Sequence, residues 1–220
     1  MDYLLLKLLH LLCLVYWLGA DIAVFYASRH VCDPSLGREA RATAARIMGW
    51  VDMLPRYCLV LILPLGLTLA VRGGWWPGGE AVAAVSWALA LLWLALVVSL
   101  ARRPPPARLA VLRRIDYGVR IAVIGATGGL GAAGLAGAGP LATPWLAGKA
   151  LLFAALVASG LAVRLLAAPF GTAFAEVMAS GSQPGLEATL SQAMARAKRV
   201  VVVIWVLLVA AAWLGLAKPA

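Results

Sequence analysis

Two histidines, three cysteines and nine acidic residues are all that this 220-residue chain offers to a metal or to an acid–base reaction. His10 and Cys13 are three apart, so on a helix they share a face. Cys58 is a candidate third ligand, and an imidazole with two soft sulfurs suits Cu(I). The plainer alternative is that the thiols are small buried hydrophobes and that His10 hydrogen-bonds a neighbouring helix. His30 follows His10 by 20 residues, about 30 Å along a helix, so the two cannot hold one metal within a chain. Lys149 is a cation that could stand beside an imidazole ligand or simply snorkel to a membrane surface.

Two further patterns repeat. Asp52-Met-Leu-Pro-Arg56 and Asp116-Tyr-Gly-Val-Arg120 each place an acid and a base four residues apart, on one helical face. Each precedes a glycine, Gly66 or Gly131, by 10 or 11 residues. Such a pair is either an intrahelical ion pair at a membrane boundary or half of a clamp, with Arg56 and Arg120 holding a propionate, a phosphate or a quinone oxygen. Asp21 also needs a cationic partner, and Arg56 or Arg120 is expected to supply it.

The elements that must carry these residues follow from composition. The chain is 64% hydrophobic and 13% charged, with a mean hydropathy of +0.94. That excludes an ordinary soluble enzyme, a disordered chain and a nucleic-acid-binding module, despite a net charge of +10. The scattered, odd-numbered cysteines make neither a disulfide framework nor a CxxC metal motif. Six stretches are long and apolar enough to span a bilayer: about 3–26, 50–71, 81–100, 118–138, 145–166 and 200–216. The first runs well past the length of a signal-peptide core and lacks a clear cleavage site. The expected fold is therefore all-α, a single polytopic membrane bundle in three hairpins.

Glycine density in GATGGLGAAGLAGAG predicts that the fourth span is enclosed by other helices. Asp33-Pro34-Ser35 and Ser182-Gln183-Pro184 resemble helix starts. With PPPARLAVLRRIDYG, they predict that each returning helix extends into the cytoplasm. Tryptophans at 17, 75, 76, 145, 205 and 213 fall mostly near span ends, as interfacial anchors do. Fifteen of the 19 lysines and arginines lie in or beside the segments after spans 1, 3 and 5; Lys7, Arg72, Lys149 and Lys218 lie on the other face. The positive-inside rule then sets both termini outside, as expected for a protein of a bacterial inner (plasma) membrane. It also sets His10 and Lys149 in the same leaflet.

At this point the sequence resembles a family. LLKLLHLLCLVYWLGA, with His10, Trp17 and Gly19, resembles the first helix of the copper-resistance CopD proteins and of the HemJ-type protoporphyrinogen oxidases. PWLAGKALLFAALVASGLAVR, with Trp145-Leu146 and Lys149, is similar to the helix that carries the characteristic lysine of that superfamily. The likeness covers a third to a half of the chain. It implies that the residue matching His10 ligates a b-type haem and that the one matching Lys149 helps to bind the porphyrin or its carboxylates. Trp17 lies close to the face of His10, and Arg56 and Arg120 complete the expected cofactor-binding set. The chain also departs from the pattern. HemJ-type proteins resemble a four-helix unit where this chain has six spans, Arg29-His30 falls out of register, and methionine-rich copper-binding stretches are absent.

Three functions compete: a haem-b redox protein passing electrons from a quinol or porphyrinogen, a copper-handling protein using His10, Cys13 and Cys58, and a non-catalytic subunit. In the third, basic cytoplasmic helices dock a partner or anionic membrane lipids. With no second histidine at membrane depth, a haem iron would be five-coordinate, would take a weak sixth ligand, or would be shared across a homodimer through two copies of His10. The topology is directly testable. Cysteine-accessibility labelling should find Ser35 and Arg108 in the cytoplasm and Gly78 and Ala220 outside; Arg108 on the same side as Gly78 would overturn the span count.

Overall fold

A computed structural model describes residues 2–102, 104–141 and 143–219. Arg103, counted among the inward-facing cations, and Ala220, named for labelling, lie outside the described residues. The chain forms α1 (Tyr3–Val31), α2 (Arg38–Val51), α3 (Met53–Arg72), α4 (Gly79–Ala101), α5 (Pro106–Leu135), α6 (Pro144–Leu166), α7 (Ala168–Ser180) and α8 (Pro184–Ala217). No strand occurs among the described residues. Six helical rods are long and apolar enough to cross a membrane, with α2–α3 and α6–α7 each counting as one. This is the all-α polytopic bundle expected from the hydropathy.

Local chemistry sets the breaks between helices. Asp2 caps α1 by accepting from the Leu4 amide at 3.2 Å. Asp33 does not start a helix, contrary to the sequence reading. Its carboxylate accepts from the Ser35 amide at 2.9 Å and the Ser35 hydroxyl at 2.7 Å, which makes a closed turn, and α2 begins only after Gly37. Those two bonds hold the Asp33 carboxyl below the usual carboxylate range. The α2–α3 break falls at Asp52. Pro55, early in α3, has no amide hydrogen for the Val51 carbonyl and presses its ring against it. Ser182-Gln183-Pro184 matches expectation, with Pro184 opening α8. The α7 segment, bent off α6 near Pro169, was not anticipated. It packs Ala173 and Val177 on Leu190 of α8, forming a small second core.

In chain order each spanning helix packs on the next, and α8 returns to α1. The main core joins Trp17, Leu59, Val60, Trp93, Val97, Leu156, Val157, Ile204 and Leu208. Away from this core, buried Arg41 locks three helix ends together. Its Nε donates to the Val31 carbonyl at 2.9 Å, and its two terminal nitrogens donate to Glu187 at 2.7 and 2.9 Å. One side chain thus satisfies an orphan carbonyl of α1 and fastens α2 to the first turn of α8.

The fourth span departs from expectation. Its glycines do permit close approach, but only on one side. A Cβ on Gly131 would lie 2.7 Å from the Ala147 carbonyl oxygen, and one on Gly134 would lie 2.8 Å from the Ala147 Cβ. Gly125 and Gly129 face open space, and Ile121 is 61% exposed. The helix is pressed against α6 and bare on its far side, because a glycine stripe wide enough for one backbone does not attract a second. Gly131→Ala should therefore destabilise the bundle by about 1–3 kcal/mol through overpacking. Gly129→Ala, open and helical, should be neutral or up to about 1 kcal/mol stabilising by helix propensity. Unfolding in mixed micelles compares the two, and equal effects would refute the one-sided packing.

Candidate functional site

One end of the bundle holds a cavity of about 390 Å³ between α1, α3, α6 and α8. Its walls are mostly aliphatic and aromatic. The floor includes Trp17, which is 4% exposed, and Phe153 and Leu156. His10 enters from α1 with its ring against α3 at Gly66. A Cβ on Gly66 would lie 3.0 Å from the His10 Cε1, so the glycine makes the room that the imidazole occupies. The ring lies beside the Ile62 carbonyl, and its Nδ1 is buried with no hydrogen-bond partner.

Three cations share this cavity: Lys7 from α1, Lys149 from α6 and Lys218 at the end of α8. Among the described residues no Asp or Glu lines it. The Lys149 ammonium lies over the α8 backbone, where a Cβ on Gly215 would stand 2.7 Å from Nζ. Lys218 closes α8 in the left-handed region at φ 41° and extends its ammonium over Trp75, 4.1 Å from the ring centre, and over Trp145 at 5.7 Å. These tryptophans meet edge to face at 5.2 Å, joining the α3–α4 turn to the start of α6 at the cavity mouth. The hydroxyls of Ser86 and Thr127 already donate to backbone carbonyls of their own helices. Among the described residues, the lining thus includes one imidazole with an unpartnered nitrogen and ammonium groups without a salt bridge. That chemistry suits a flat apolar body carrying carboxylates.

His10, Trp17 and Lys149, singled out from sequence, line this one cavity. Lys7 and Lys218 were read only as outer-side charges, and their convergence depends on where the two chain ends meet. Arg56 and Arg120 do not line it. Arg56 pairs with Asp52 on its own helix. Arg120 is 2% exposed and its Nε donates to Asp116 at 3.0 Å, with its guanidinium 5.5 Å from the Trp93 ring centre. Asp116 also accepts from Arg164 at 2.8 Å and from the Trp93 indole at 3.1 Å, so three helices fasten to one buried carboxylate. Arg164 had been read only as a cytoplasmic charge; its place in the last turn of α6 was the available signal.

One sequence pairing is corrected. Asp21 pairs with neither Arg56 nor Arg120, and its Oδ2 is buried without a partner. The physical reason is competition: each arginine has a carboxylate one turn away on its own helix, and depth alone cannot outbid that. Cys13 and Cys58 bring their thiols together across α1 and α3, but neither cysteine lines the cavity that holds the His10 ring. Among the described residues no three His, Cys, Asp or Glu groups converge as a metal cluster.

The two DxxxR pairs should differ sharply in stability. Asp116→Asn leaves Arg120 and Arg164 short of a counter-charge in the interior and should cost about 3–5 kcal/mol. Asp52→Asn, at a site where both partners are about a third exposed, should cost about 0–1 kcal/mol. Thermal unfolding of the two variants checks this, and equal losses would refute the buried-network reading. Compared with protein-family models, curated proteins and solved structures, the chain matches none of them.

Proposed function

We propose that this chain is an integral membrane haem-b protein of the CopD and HemJ type. In this reading it passes electrons between a quinol or porphyrinogen and an acceptor, in a bacterial inner membrane with both termini outside. The observation that carries the proposal is the His10 Nδ1, buried without a partner beside an apolar cavity whose described lining holds cations and no Asp or Glu. A buried imidazole nitrogen ordinarily finds a donor or a carbonyl, so one left open is suited to an external ligand.

The residues fit the group. His10 would hold the iron, with Gly66 fixing the ring orientation from behind. Lys149 would neutralise a propionate, and Trp17 would close the floor against water from the inner half. When bound, haem supplies one-electron chemistry at a potential set by its axial ligand and surroundings. The chain itself supplies binding, orientation and a dry cavity whose cations favour an anionic guest over a neutral one.

Protein purified from haem-replete cells should carry about one b-type haem per chain, seen as a Soret band. His10→Ala should remove it, and Lys149→Ala should weaken haem retention without unfolding the bundle. A folded, colourless wild type would sink the assignment and leave the non-catalytic reading. A His10→Ala protein that keeps its haem would move the ligand elsewhere.

A further inference from the structure

At the inner membrane boundary, α1 and α8 bring two cations onto one aromatic ring. The Lys198 ammonium lies 4.7 Å from the Phe25 ring centre, and the Arg29 guanidinium lies 6.0 Å from the same centre and 4.8 Å from that of Tyr26. Among the described residues neither cation forms a salt bridge. Two like charges around a single ring repel, and an anion between them turns that repulsion into two attractions. The level is also set. Arg29 lies three residues beyond the first apolar stretch and Lys198 two residues before the last.

Directly above these cations the surface changes character. On α1, Tyr26 and Ile22 precede Arg29 by three and seven residues; on α8, Val202 and Val206 follow Lys198 by four and eight. Those spacings stack each apolar pair over its cation on one helical face. All four are exposed, Val206 at 63%. Beneath the same seam, the Trp205 ring packs 5.3 Å from Phe25, and its indole Nε1 is buried with no acceptor. A spare donor, two unneutralised cations and an apolar track leading into the bilayer occur at one place.

We propose that this α1–α8 seam binds an anionic phospholipid of the inner leaflet, with the phosphodiester between Arg29 and Lys198 and an acyl chain along Tyr26, Ile22, Val202 and Val206. The site stands apart from the outer cavity and holds whether or not haem is bound there. It adds an address to the general attraction of a basic cytoplasmic face for acidic lipids.

The test uses the full chain in neutral detergent, titrated separately with short-chain phosphatidylglycerol, phosphatidylcholine and inorganic phosphate. Melting temperature is followed alongside native mass spectrometry of the retained lipid. Phosphatidylglycerol alone should raise the melting temperature, and Arg29→Gln and Lys198→Gln should each weaken its binding about fivefold. Arg196→Gln/Arg199→Gln, which removes two neighbouring exposed cations, should bind as wild type. Mass spectrometry counts bound lipid directly, so a variant that melts lower is still read. Unchanged binding in Arg29→Gln/Lys198→Gln, or an equal loss in the Arg196→Gln/Arg199→Gln control, would overturn the site. An equal shift with phosphatidylcholine would overturn its preference for an anionic lipid, and an equal shift with inorganic phosphate would replace the lipid with a free ion.

Discussion

Hydrocarbon offers no water to an ionisable side chain, so each one depends on the partners that neighbouring helices bring to it. At one end of this bundle two networks meet that demand. Asp116 receives donors from Trp93, Arg120 and Arg164, and Arg41 spans α1, α2 and α8 through Val31 and Glu187. The other end leaves it unmet at the cavity, where an imidazole nitrogen has no partner and, among the described residues, lysines but no Asp or Glu line the wall. Closed networks at Asp116 and Arg41 stand at one end of the bundle, and a cavity with open polar groups stands at the other.

Glycine positions do much of the shaping. Gly131 lets the α5 backbone reach the Ala147 carbonyl, and Gly66 and Gly215 leave the room in which the His10 ring and the Lys149 ammonium lie. In a bilayer the hydrophobic effect does not drive helices together, so such close approach is a main source of packing energy. The same absence of Cβ atoms makes space for long polar side chains to lie flat on a neighbouring backbone. Packing and site are in this sense one design, and a methyl group at any of the three positions meets atoms at 3.0 Å or less.

The spans were legible because a bilayer demands about 20 apolar residues and the chain supplies them six times. Counting residues inward from the span ends was enough to set His10 and Lys149 in one leaflet. Partner choice was not legible. Depth allowed Asp21 to meet Arg56 or Arg120, whereas the outcome turned on which carboxylate was nearer along the same helix. Composition also could not say that the glycines of α5 would face one neighbour only, nor that α7 would fold back on α8. The convergence of Lys7 and Lys218 on the cavity needed the two chain ends to meet, which no local pattern encodes.

The most direct measurement of the central claim uses the fact that the chain has only two histidines, His10 and His30. Pulsed electron paramagnetic resonance of the ferric protein, grown with isotope-labelled histidine, reads whether an imidazole nitrogen couples to the iron. Coupling to one histidine that persists in His30→Gln protein is the predicted result. An iron without histidine coupling, or coupling that vanishes in His30→Gln, would contradict it.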